Sequence, residues 1–272
     1  MPIQRLCLVV VAGLSLTVLP SVRADTVRLL PDAPLKNKAP GGQFSGQITA
    51  ETPTEVKIKT ALGEQSVPLD QIDGIEYDAA TPSFTLAESR MNVNAVGEAI
   101  DLYSKAIDEA KGKPLVERAA QYGKAQALAD TALADPSKLD EAIASLGSFI
   151  QANGSSRQLG PALESMIQLN LMKGDIARAE NALGDLEAKV PTAKARVSVL
   201  KARILGKKGQ HDQAIQGLDQ LIAQAPKGSA QSREAMLAKA ENLVALKKFS
   251  DAETVVRQVI QEAPAEADEI QA

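Results

Sequence analysis

Two periods of hydrophobic alternation divide the chain. Between residues 25 and 79, apolar positions recur at every second residue in short runs. Residues 26–30 alternate around Val27 and Leu29, and Pro31, Asp32, Pro34, Pro40, Gly41 and Gly42 then interrupt any regular element. Residues 44–49, 54–60, 65–69 and 72–77 read as short strands. Val56 and Ile58 alternate with Lys57 and Lys59, as a strand does when one face is buried and the other is wet. Leu62, Gly63 and Glu64 supply a turn. Four or five short strands in about 50 residues predict a small barrel. From Thr81 onward alanine becomes frequent and the apolar spacing lengthens to that of a helix.

Within the helical part the pattern repeats. Gly174, Ile176, Ala179, Leu183, Leu186 and Pro191 reappear 35 residues on as Gly209, His211, Ala214, Leu218, Leu221 and Pro226. A further shift of 38 gives Lys247, Phe249, Ala252, Val256, Val259 and Pro264. Backward shifts of 37 and then 43 give Ala142, Leu146 and Phe149, and then Ala99, Tyr103 and Ala106. The partner helices match more loosely through Leu163 and Ile167, Ser198 and Ala202, and Met236 and Ala240. Packing explains the pattern: a small side chain lets two helices approach, a large one four residues on fills the same face, and proline ends the helix.

This resembles the tetratricopeptide repeat (TPR) family, whose unit is about 34 residues. The resemblance implies a mainly α, right-handed solenoid of helical hairpins over 80–266, preceded by a small β-barrel-like module over 25–79. Clear units fall at 160–193, 195–228 and 233–266, and degenerate ones at 80–113 and 114–156, the latter with a long first helix from about 115 to 133. Residues 267–272 are a tail. In the β module, Gly46-Gln47-Ile48, Glu55-Val56-Lys57-Ile58, the run from Val67 to Ile72, and Ile75 resemble small SH3-like or Sm-like barrels. No basic and aromatic base-stacking set accompanies them, so a nucleic-acid role does not carry over.

Composition sharpens the class. Aromatics are only 3% and tryptophan is absent, which suits alanine and leucine packing in repeats. Residues 1–24 combine Arg5, an apolar run over 6–19, and Val22 and Ala24 before Asp25, the pattern of a cleaved secretory signal peptide. Export to the periplasm or the exterior is therefore expected, with the mature chain starting at Asp25 and touching a membrane only through that peptide. Its removal takes Arg5 and Arg23 from 30 basic and 34 acidic residues, so the remainder is more acidic than the full chain's net charge of −4. That argues against nucleic acid as a partner. The single cysteine, Cys7, leaves with the same segment, so no disulfide, thiol nucleophile or thiolate metal site remains.

The chemistry points away from catalysis. His211 is the only histidine, and the equivalent Ile176 and Phe249 mark its position as one for packing. No phosphate-binding loop or nucleophile elbow is present. An enzyme, a metal site and a cofactor are not expected. The resemblance implies a concave face lined by the first helix of each unit. On this chain that face carries Glu164, Gln168, Leu171 and Met172; Arg196, Val199, Arg203 and Lys207; and Leu237, Glu241 and Val244. Arg196, Arg203 and Lys207 form one stripe that suits an acidic peptide, unless Glu164 and Glu241 neutralise it. Ser165, Leu200 and Ala238 stand where chaperone-binding clamps of this family use asparagine, so that function is not expected.

The expected function is an exported scaffold that binds a protein or peptide. The alternatives are a self-associating structural or assembly protein of the envelope, and a carbohydrate-binding or enzyme-associated module with the barrel as the ligand site, although Phe44 and Tyr77, expected to be its few exposed aromatics, make sugar stacking unattractive. Leu243, Leu246, Val255, Val259 and Ile260, followed by the acidic residues Glu266, Asp268 and Glu269, suggest self-association or docking at the C-terminal repeat.

Overall fold

The computed structural model describes residues 24–262. Residues 1–23 of the segment 1–24 expected to be a signal peptide, Pro264 and the tail 267–272 lie outside them. Five antiparallel strands come first: β1 (Asp25–Leu29), β2 (Gln43–Glu51), β3 (Glu55–Thr60), β4 (Gly63–Pro68) and β5 (Ile72–Glu76). Their order is β4-β3-β2-β1-β5, so β4 and β5 form the edges. β2 is shared: Gln43–Gly46 pairs with β1, and Gln47–Glu51 pairs with β3. Gly46 sits at the changeover, where a Cβ would strike the carbonyl of Lys59, so only glycine fits.

Alternation decides which face is buried. Val27, Phe44, Ile48, Val56, Ile58 and Val67 point to one side and pack with Ala110, Val116 and Ala119 of the helical part. Phe44 and Tyr77, expected to be exposed, are instead core residues.

Among the described residues ten α-helices follow as five antiparallel hairpins: α1 (Pro82–Asn92) with α2 (Val96–Glu109), α3 (Pro114–Ala134) with α4 (Leu139–Ala152), α5 (Leu159–Lys173) with α6 (Ile176–Lys189), α7 (Lys194–Lys207) with α8 (His211–Gln224), and α9 (Ala230–Ala245) with α10 (Phe249–Glu262). Local chemistry sets the boundaries. Thr81, Asp175 and Ser229 cap their helices by accepting from the backbone N–H groups of Phe84, Arg178 and Ser232. Pro82 and Pro114 stand in first turns, where a missing N–H costs nothing. Ala99, Ala142, Ala179, Ala214 and Ala252 are all buried at the contact between the helices of a hairpin.

A buried polar cluster joins the sheet to the helices. The Glu51 side chain, fully enclosed, accepts from Tyr77 Oη at 2.7 Å, Arg118 Nη2 at 2.7 Å and Arg157 Nε at 3.0 Å. Arg157 also donates to Tyr77 Oη at 3.1 Å. β2, the end of β5, α3 and the α4–α5 loop are thereby tied at one point. Burial pushes the Tyr77 phenol well above its ordinary range.

Candidate functional site

The first helices α5, α7 and α9 lie side by side, and between them runs a groove of about 560 Å³. Leu171, Leu200 and Ala245 give it apolar walls, with Met172 exposed at one edge. Gln168, Arg203, Lys207 and Glu241 supply its polar groups. Six of the residues marked for the concave face, Gln168, Leu171, Met172, Arg203, Lys207 and Glu241, therefore line one cavity.

The basic stripe divides in two. Arg196 is held between two acids: its Nε lies 2.6 Å from Glu164, and its Nη1 meets Glu234. Arg203 lies 3.6 Å from the same Glu234. Neutralisation thus involves Glu164 and Glu234 rather than Glu241. Glu234, on the first turns of α9, sits one helical turn before Leu237 and carries no repeat signature that would single it out. Lys207 is exposed and makes no ion pair among the described residues, and neither does Glu241. The groove's mouth therefore holds one cation partly engaged and one exposed with no ion pair among the described residues.

Two candidates fall elsewhere. Val199 is only 1% exposed and packs with Ala202, Ala214, Leu218, Ala235 and Ala238, so it belongs to the core between α7, α8 and α9. Its neighbour α9 covers it, which the helical period within α7 cannot reveal. Leu237 is exposed but does not line the groove; together with Val244 it lies on the open side of α9. At the C-terminal repeat, Leu243 is buried, and Leu246, Val255 and Val259 are half-buried rather than exposed. Only Ile260 of that group stands clear of the fold. Phe249, expected to pack, is exposed because no helix follows α10 among the described residues.

At one end of the groove His211 and Asn242 form a fixed pair, with Nδ1 2.9 Å from Oδ1. The Asn242 amide donates to the Ala238 carbonyl at 2.8 Å, which turns its oxygen toward the histidine. The histidine Nδ1 is therefore the donor. Gly206 makes room for this pair, since a Cβ there would come within 2.8 Å of Asn242 Oδ1. Glycine near the end of α7 was a visible signal for close approach, but its partner 36 residues away was not.

A larger cleft of about 680 Å³ follows the seam between β2 and the α2–α3 turn. On its wall the Asp25 carboxylate is already engaged by the backbone N–H groups of Ile48 and Asp78. The cleft draws on none of the concave-face positions, and the groove remains the better site. Among the described residues no group of three or more histidine, cysteine, aspartate or glutamate side chains is placed to hold a metal ion, and no helix is long and apolar enough to cross a membrane.

Residues 197–228 match the tetratricopeptide repeat family. No curated protein sequence matches the chain. Among solved structures, a protein of nearly identical TPR-like repeats from Podosopora anserina is 18% identical, with a TM-score of 0.50, over 66% of this chain and 92% of its own. A thermophilic TPR protein in Thermus thermophilus is also 18% identical, with a TM-score of 0.50, over 68% of this chain and 91% of its own. At such identity the likeness concerns the fold. The helical part of this chain is a tetratricopeptide-type α-solenoid, with a tetratricopeptide repeat at residues 197–228, preceded by a small antiparallel β module.

Proposed function

We propose that this protein is an exported, non-enzymatic adaptor that binds a protein or peptide along the concave face of its helical array. One observation carries the reading: the groove between α5, α7 and α9 pairs apolar walls with the cations Arg203 and Lys207. That combination suits a peptide presenting an apolar side chain beside a carboxylate. The apolar group takes the surface of Leu171, Met172, Leu200 and Ala245 out of water. The carboxylate accepts charge-assisted hydrogen bonds from the two cations. Glu241 on the opposite wall disfavours a ligand with a second negative charge there. The non-enzymatic part of the reading rests on the sequence: after residue 24 no cysteine remains, and the only histidine is engaged by Asn242.

The export reading rests on the charged start, apolar run and small residues of the first 24 positions. It is consistent with the position of Asp25, whose carboxylate is built into the sheet, while Ala24 is exposed. Cleavage between them leaves every strand intact.

One experiment tests both parts. The full-length chain is crosslinked in the cell that makes it, and the captured material is identified together with the first residue of the bait. The expected result is a bait beginning at Asp25 with a discrete partner. Joint charge reversal, Arg203→Glu with Lys207→Glu, should lower capture at least ~10-fold at unchanged helical circular dichroism, whereas Lys201→Glu, exposed away from the groove, should not. Equal capture by the groove variant would defeat the binding site, and intact residues 1–24 would defeat export.

A further inference from the structure

Among the described residues, the C-terminal end of the array repeats, without cover, the face that α9 covers one unit earlier. A shift of 38 residues relates α7 and α8 to α9 and α10. It places Leu237 and Val244 where Val199 and Gly206 stand, and Phe249, Val256 and Ile260 where His211, Leu218 and Ile222 stand. In the inner unit α9 covers this face: Val199 and Leu218 pack against Ala235 and Ala238, and His211 bonds Asn242. At the end, Leu237 is 45%, Val244 50%, Phe249 63%, Val256 37% and Ile260 70% exposed. Five large apolar side chains on one face exceed what scattered surface hydrophobics explain.

We infer that this face pairs with the same face of a second copy of the chain, antiparallel about a two-fold axis near residue 255. Two features of α10 support this occupant. Phe249, Val256 and Ile260 lie on one helical stripe, flanked on the side away from α9 by Glu253 and Arg257. In an antiparallel pair centred at residue 255, Phe249 approaches Ile260 of the second copy, and Glu253 meets its Arg257, twice by symmetry. The charges that bond each other within one helix, at 2.6 Å, are thus also self-complementary across the axis.

The opposite end of the array offers a poorer match. Ala235, Ala238 and Asn242, through which α9 covers its neighbour, correspond in α1 to Pro82, Thr85 and Ser89, all exposed. Head-to-tail stacking would set Thr85, whose hydroxyl donates to the Thr81 carbonyl, and Ser89, whose hydroxyl has no such partner among the described residues, against Val256 and Phe249, and taking the Ser89 hydroxyl out of water costs free energy. It would also leave an open end at every step, so it would grow into a filament. Tail-to-tail pairing sets apolar against apolar and closes after two copies. Glu241, between Leu237 and Val244, carries a charge into one edge and keeps the association weak.

Sedimentation velocity on the full chain over a wide concentration range tests this. Wild type should dimerise reversibly and grow no further. Val256→Asp should raise the dissociation constant at least ~10-fold with unchanged circular dichroism, as a charge placed in an interface core does. Thr85→Lys, on the exposed face of α1, should leave it unchanged. Glu253→Arg and Arg257→Glu should each weaken self-pairing, and mixing the two variants should restore a dimer containing one of each. Growth beyond two copies that Thr85→Lys abolishes would replace this pairing with head-to-tail stacking. A wild type that stays monomeric, a Val256→Asp variant that dimerises as before, or a mixture that fails to pair also overturns the proposal, leaving the face to residues 263–272 or to another protein's helix.

Discussion

Ala214 shows how much a single small side chain decides. It is fully buried where α8 crosses α7, while the adjacent Gln213 faces solvent. Ala214→Leu forces extra volume into a closed contact and should destabilise the fold by about 1–3 kcal/mol, whereas Gln213→Leu should change little. Thermal unfolding compares the two, and equal melting temperatures would refute this packing. The alanine series was readable in the sequence because it recurs at one place in every hairpin. Glu51 was not, because nothing near it in the chain marks an acid at the end of a strand as buried. Its partners Arg118 and Arg157 stand 67 and 106 residues away. Removing one member of such a cluster strands the others' charges out of water, so these residues matter more than any surface ion pair in the protein.

Four of the five hairpins owe their tight turns to one backbone conformation. Asn94, Gly174, Gly209 and Lys247 occupy the same place after the first helix of their units, and all have positive φ. Glycine adopts this region freely and asparagine tolerates it, but lysine there crowds its Cβ against the backbone. Lys247→Gly, at φ 60°, should therefore stabilise the last hairpin. The gain should be up to about 1 kcal/mol, read as a higher denaturant midpoint at constant slope. A lower midpoint would mean that Lys247 makes contacts outweighing the strain. The repeat alignment already placed Lys247 in register with Gly174 and Gly209. What the alignment could not supply was the sign of φ, which follows only from the geometry of the closed turn.

For the whole molecule, the three tyrosines report on the integrity of the packing. Tyr77 lies in the junction between sheet and helices, Tyr103 between α2 and Gly123 of α3, and Tyr122 beside Phe149 of α4. Burial raises all three above the ordinary value of 10.0, and Tyr122 is pushed up to about 12. An unfolded chain loses these protons near pH 10 while the folded one keeps them. The folded state then binds more protons, so stability falls as pH rises above that point. Below pH 10 the tyrosines should contribute no pH dependence. Above it, tyrosinate absorbance should stay low while the fold persists and then rise together with the loss of helical signal. Three phenols that titrate near 10 in a protein retaining its full helicity would show the packing around them to be open.

The sequence by itself determined which segments are strands and which are helices, and which position of each hairpin must be small. These follow from periods of two and 3.6 residues and from a repeat in which each unit packs mainly on the next. The resemblance to tetratricopeptide repeats also singled out Gln168, Leu171, Met172, Arg203, Lys207 and Glu241, which line one groove between α5, α7 and α9. Tertiary structure alone decided which of the charges are left without an ion pair among the described residues. Arg196 is taken up by Glu164 from α5 and Glu234 from α9, the first helices of the units before and after, while Lys207, one turn beyond Arg203, meets neither. It likewise decided that Val199 is core whereas Leu237, its equivalent 38 residues on, is surface. The two positions carry similar side chains in the same local pattern, and they differ only in whether another helix lies against them. A helical period specifies a face; what that face meets depends on the neighbour the fold provides.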